Sequence, residues 1–81
     1  MDLKEIIKSK KFNIGSEITL KKLKNNELKT IFIAKNCKPA TKEDIEKYAK
    51  STKVEIVLLD MTKDDLGMAC KKPYEVSVIS V

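Results

Sequence analysis

Apolar positions along this chain switch repeatedly between a helical and an extended spacing. Leu3, Ile6 and Ile7 recur at helical intervals behind Asp2 and Glu5, a capping pair, which predicts a first helix over about residues 3–10. Phe12 to Ile14 is a short apolar run and predicts a strand. Gly15 breaks it, and a second helix is expected from Ser16 to Lys24 with Leu20 and Leu23 inward. Asn25-Asn26 should end that helix, because Asn tolerates the left-handed cap conformation. Thr30-Ile31-Phe32-Ile33-Ala34 is an unbroken run of strand formers, the pattern of a central strand covered on both faces.

The second half repeats the alternation. Asn36-Cys37-Lys38-Pro39 reads as a loop, and Thr41-Lys42-Glu43-Asp44 as the start of a third helix with an acidic first turn. Ile45, Tyr48, Ala49 and Thr52 fall at i, i+3, i+4 and i+7, a buried stripe. Val54 to Leu59 predicts a strand, and Thr62-Lys63-Asp64-Asp65 caps a short helix through about Cys70. Lys71 to Tyr74 reads as a loop, and Glu75 to Val81 as a last strand with Val76, Val78 and Val81 among its apolar positions. Strict alternation of helix and strand implies helices on both faces of a mostly parallel or mixed sheet, in one domain over residues 1–81. Ligands of such sheets gather at strand ends, which selects the Gly15 turn, the Asn36 to Ala40 loop and the Lys71 to Tyr74 loop.

Charge sharpens this picture. The chain carries 17 lysines and no arginine against 12 acids, for a net charge of +5. Residues 1–38 hold 10 lysines and 4 acids, a balance of +6, whereas residues 39–81 hold 7 and 8, a balance of −1. A concentrated excess of this kind suits a polyanion. Lysine binds phosphate as a point charge, and without arginine the bidentate reading of guanine edges is not available. A strand entering a helix through Gly15 offers backbone N–H groups and the positive end of a helix dipole to phosphate, with Lys21 and Lys24 further along.

Catalytic chemistry is sparse. With no histidine in the chain, Ser-His-Asp and Cys-His catalysis and the common zinc sites are excluded. Cys37 and Cys70 lie far apart and form no CxxC, so reduced thiols in a cytoplasmic protein are expected. No run of about 18 apolar residues is present to span a membrane, and the N-terminus lacks the apolar core of a secretory signal. The expectation is a binding protein, with no cofactor and no enzymatic activity.

Several stretches together resemble the L7Ae/L30e family of ribosomal and related RNA-binding proteins. Ile14-Gly15 with Thr19 and Lys21 matches that family's glycine turn. Ile31-Phe32-Ile33-Ala34-Lys35-Asn36 is similar to its central strand, ending in Asn or Asp. Lys42 to Ala49 resembles the third helix of the L30e branch, and Asp65-Leu66-Gly67-Met68-Ala69-Cys70 its leucine-glycine helix before the last loop. The resemblance implies a three-layer α/β/α sandwich around a four-stranded mixed sheet. It implies a large-subunit ribosomal protein, monomeric when free, that grips a kink-turn or similar internal loop with sheared G·A pairs and stabilises its bent form. Carried over by position, Gly15, Ser16, Glu17 and Lys21 would lie at the RNA, with Lys24 adding backbone charge; Asn36 would contact loop nucleotides, and Lys72, Pro73 and Tyr74 would hold an extruded base. The chain departs from the pattern at Glu17, Ile18 and Lys71, where Asn or Lys, a polar residue and glycine are common, and it stops at Val81 without the C-terminal extension of many members.

Every one of these residues also has a plainer role open to it. Gly15 could serve only the turn, Lys21 and Lys24 only solvation, Asn36 only a strand-end cap, and Tyr74 only packing against the last strand. Three other functions stay open on the residues alone: a stand-alone kink-turn ribonucleoprotein component, a protein–protein module with Ile18 in an apolar patch, and a Cys37-based enzyme.

Overall fold

The computed structural model describes residues 3–9 and 11–81. The expected cap at Asp2 and the end of the first helix at Lys10 lie outside the described residues. In chain order the elements are α1 (Leu3–Ser9), β1 (Asn13–Ile14), α2 (Ser16–Lys24), β2 (Thr30–Ile33), α3 (Pro39–Ala49), β3 (Glu55–Leu58), α4 (Lys63–Ala69) and β4 (Val78–Ser80). The four strands form one mixed sheet in the order β1-β4-β2-β3. β4 is antiparallel to both of its neighbours, while β2 and β3 are parallel. β1, β2 and β3 therefore point the same way.

The central run behaves as its composition predicts: Thr30 to Ile33 is buried throughout. Its side chains alternate between two cores. Phe32 and Ala34 join Ile6, Leu66, Cys70, Val76 and Ile79 on the α1/α4 face. Ile31 and Ile33 join Leu23, Ile45, Ala49 and Val78 on the α2/α3 face. Two apolar layers, each sealed by helices, make the α/β/α sandwich.

β1 and β2 are each one residue shorter at one end than expected, and β3 at both; three larger departures have physical causes. The third helix begins at Pro39, not Thr41, with Lys38 as its N-cap. Proline has no N–H to lose at the first helical position and its fixed φ fits there, so the helix extends two residues into the expected loop. Its first turn then contains no acid, since Glu43 and Asp44 fall one turn later. Second, the last strand is only Val78–Ser80. Glu75 and Val76 are drawn off to α4 instead: Glu75 pairs with Lys63, the Val76 N–H donates to the Lys63 carbonyl at 3.1 Å, and Val76 plugs the α1/α4 core. Third, Thr52 lies beyond the end of α3 at Ala49, so the helical stripe is carried by Ile45, Tyr48 and Ala49.

Two helices end in the same way. The Asn26 N–H donates to the Leu23 carbonyl and the Glu27 N–H to that of Lys22, with Asn26 at φ 56°. The Lys71 N–H donates to the Met68 carbonyl and the Lys72 N–H to that of Gly67, with Lys71 at φ 58°. Both are Schellman caps, which demand a left-handed residue at the position after the cap. Asn accepts that conformation readily; lysine carries the full steric cost of its Cβ. Lys71→Gly removes a strain of about 1–2 kcal/mol while adding unfolded-state entropy, so it should stabilise the fold by about 0.5–1 kcal/mol. A higher denaturation midpoint at unchanged m-value is the expected outcome, and a lower midpoint would show that Lys71 is not strained.

Candidate nucleic-acid interface

Because β1, β2 and β3 run in one direction, the helices that follow them all start at the same pole of the sheet. The N-termini of α2, α3 and α4 are gathered there. A helix start carries three or four N–H groups without intrahelical acceptors and a partial positive charge. At α4 this potential is spent internally: the Thr62 hydroxyl accepts from the Asp65 N–H at 3.2 Å, and Asn36 Oδ1 accepts from the Lys63 N–H at 2.7 Å. At α2 and α3 no side chain caps the helix. Two open helix starts therefore share one end of the molecule.

Gly15 supplies the entry to α2 at φ 112°, ψ 153°, a conformation that only glycine adopts without strain. Its own N–H is not free, since it donates to the Val78 carbonyl at 2.9 Å. The donors left open are those of Ser16, Glu17 and Ile18, because the first intrahelical bond runs from the Thr19 N–H to Gly15. No atom lies within 4 Å of where a Gly15 Cβ would sit, so the turn faces open space.

The turn is fastened from beneath by a pair of buried hydroxyls. The Thr19 hydroxyl donates to the Gly15 carbonyl at 2.7 Å and is hydrogen-bonded to the Ser80 hydroxyl at 2.9 Å. Both residues are fully buried. The sequence marks Thr19 within the glycine turn, but Ser80 is silent there, since a serine in a strand reads as surface. Its inward register follows from its pairing with Asn13 on β1 and with Ile31 on β2.

The other two loops are tied to the same pole. The Ala34 N–H donates to the Ser77 carbonyl at 2.8 Å, which brings the Lys35–Lys38 loop beside the segment that enters β4. Asn36, through its bond to Lys63, joins the end of β2 to the start of α4 and is exposed. The structural role is thus real, and it engages the side-chain oxygen; the amide NH2 makes no hydrogen bond among the described residues. The Lys72–Tyr74 loop packs on α4, where a Cβ on Gly67 would collide with the Tyr74 carbonyl oxygen. A Lys63–Glu75 ion pair at 3.2 Å closes its far end. Glu75 is held below the usual carboxylate range by hydrogen bonds from Lys63 and Asp64, and Asp64 is pushed up by sharing that bond with Glu75. Tyr74 itself is 55% exposed rather than packed against β4.

Lysine placement divides the candidates. Glu17 and Lys21 are exposed one turn apart on α2, next to the open N-terminus. Lys24 lies about 12 Å further along the axis than Ser16, at a rise of 1.5 Å per residue. Its ammonium sits 4.8 Å from the Tyr48 ring centre, a cation–π contact that ties α2 to α3. Gly15, Ser16, Glu17 and Asn36 lie at the pole, with Lys21 one turn along α2 and Pro73 and Tyr74 beside Asp64 in the first turn of α4; Lys72 follows the far end of α4, as Lys24 does that of α2. Lys38 joins them as the α3 N-cap, which could not be recognised while the helix was expected to start at Thr41.

A family model described as "Ribosomal protein L7Ae/L30e/S12e/Gadd45 family" matches residues 2–81. The chain belongs to this family. Among curated relatives, the large ribosomal subunit protein eL30 of Lupinus luteus is 40% identical over 76 residues, covering 94% of this chain and 68% of the relative. The eL30 protein of Archaeoglobus fulgidus is 33% identical over 79 residues, covering 98% and 87%. Among solved structures, a protein of unknown function from Bacillus halodurans superposes with a TM-score of 0.85 at 20% identity, over 98% of this chain and 78% of that one. The Giardia lamblia 15.5kD RNA binding protein superposes with a TM-score of 0.78 at 21% identity, over 96% and 65%. The two structures show that this L7Ae/L30e-family chain shares their fold.

The curated relatives are ribosomal proteins and not enzymes. The thiols of this L7Ae/L30e-family chain agree with that. Burial pushes Cys37 up despite the nearby Lys42, and it pushes Cys70 up likewise. Both shifts lower the share of thiolate at neutral pH.

The hydroxyl pair yields a stability test of the site. Thr19→Val leaves the Ser80 hydroxyl buried without its partner and should cost about 1–3 kcal/mol. The double variant Thr19→Val/Ser80→Ala should lose less than the sum of the two singles. Chemical denaturation of the four proteins reads the coupling; strictly additive losses would mean that the two hydroxyls do not act as a unit.

Proposed function

We propose that this chain is a large-subunit ribosomal RNA-binding protein that recognises a kink-turn or similar internal loop and stabilises its bent form. It works on the ribosome, in the cytoplasm, as a monomer before assembly. The observation that carries this reading is the pair of uncapped helix starts at the pole where the three loops meet. The family membership and the eL30 relatives support it.

The residues take distinct parts. The Ser16, Glu17 and Ile18 N–H groups meet the RNA at the open end of α2, where Gly15 leaves room for close backbone approach. Lys21 neutralises backbone phosphate one turn further on. Glu17 accepts a hydrogen bond from a base donor such as a guanine amino group, which a phosphate could not provide. The Asn36 amide NH2 donates to loop nucleotides, with its oxygen anchored on α4. Tyr74, with Lys72 and Pro73, stacks on an extruded base, a contact worth about 1–3 kcal/mol. Such a surface fits RNA whose phosphates and unpaired bases are brought close together, so binding draws the RNA toward the bent state.

Two variants test this assignment. Lys21→Ala should weaken binding to any RNA and lower the salt slope by about 0.7–0.9. Tyr74→Ala should weaken kink-turn binding by roughly 5–150-fold, the equivalent of losing one stacked base, with little change for a paired duplex. Equal losses of Tyr74→Ala on both RNAs would remove base stacking from the account.

A further inference from the structure

On the α1/α4 side lies a groove of about 720 Å³ that shares only Lys72 with the RNA reading. It is lined by Ile7, Lys8, Phe12, Ile14, Cys70, Lys71 and Lys72. α1 forms one wall, the short outer strand β1 the floor, and the end of α4 with its Schellman cap the other wall. Ile7, Phe12 and Ile14 are only partly buried although they pack against the core, so the floor of the groove is wet aliphatic and aromatic surface. Such surface costs free energy until something covers it.

The rim has one sign. Lys8, Lys71 and Lys72 are exposed, and none makes an ion pair among the described residues. Among the described residues no acid lines the groove. Lys71 is fixed at this rim by its left-handed cap, a position where glycine would be easier. β1 is an edge of the sheet, so no further strand flanks it on its outer side.

We propose that this groove is a docking site for an acidic, amphipathic peptide segment of a protein partner. Its apolar side chains fill the floor over Ile7, Phe12 and Ile14, and its carboxylates meet the three lysines. Peptide recognition by grooves follows this division, with apolar anchors inside and matching charge at the rim. The aliphatic floor favours a peptide over a nucleotide here. A base needs an aromatic face and edge partners, and among the described residues the lining offers one phenylalanine and no Asn, Gln, Ser or Thr. Ile7, Phe12, Ile14 and Cys70 of the groove belong to the α1/α4 core, on the opposite face of the sheet from the α2/α3 core.

The test is a methyl-NMR titration of the isoleucine-labelled full chain with a 12-residue helical peptide bearing leucines on one face and glutamates on the other. Saturable shifts of the Ile7 and Ile14 methyls, with Ile18 and Ile45 unmoved, are expected. Replacing every glutamate by lysine should abolish them, and Lys8→Glu should weaken the acidic peptide by at least threefold. Three results would overturn the proposal: no shift at Ile7 and Ile14, equal shifts with the lysine peptide, or displacement of the acidic peptide by kink-turn RNA at the same methyls with no other change.

Discussion

The structure depends on the insertion of β4 between β1 and β2. This strand is three residues long and fully buried, yet its segment holds the Gly15 turn and the end of β2 in place. The Val78 carbonyl takes the Gly15 N–H, the Ser77 carbonyl takes the Ala34 N–H, and the Ser80 hydroxyl meets Thr19. Running against its neighbours, β4 lets β1, β2 and β3 share one direction. That common direction gathers the helix starts. Backbone donors on three separate elements become one surface because one short strand fixes their register.

From this follows a division of labour along the molecule. The helix starts that serve structure are capped by side chains, as Thr62 and Asn36 do for α4. Those of α2 and α3 are not capped, and they are the ones turned to the proposed ligand. Positive charge follows the same logic. Lys21 stands beside an open helix start, whereas Lys24 is committed to the Tyr48 ring and helps to hold the α2/α3 layer. A lysine-rich sequence thus contains lysines of different kinds, separated by helix geometry and not by composition.

Much of this was legible in the residues, for identifiable reasons. The unbroken run of strand formers at Thr30–Ala34 pointed to a doubly covered strand, and it is buried as expected. Asn26 and Thr62 announce a helix end and a helix start through local chemistry that needs no tertiary context. What was not legible depends on contacts distant in sequence. The early start of α3 at Pro39 was hidden by acids that mimic a first turn. The shortness of β4 comes from the pull of Lys63 on Val76, thirteen residues apart. Ser80 gains its role from Thr19, 61 residues earlier. The left-handed Lys71 goes against intrinsic preference, as tertiary constraint often does.

The central claim is that the pole at Gly15, Asn36 and Tyr74 selects a bent RNA. Energy transfer between dyes on the two arms of a kink-turn RNA, in the absence of magnesium, addresses this directly. Addition of the protein should raise transfer saturably toward the bent value, while a fully paired duplex of equal length stays unchanged. Binding of the kink-turn RNA with transfer fixed at its extended value would contradict the account.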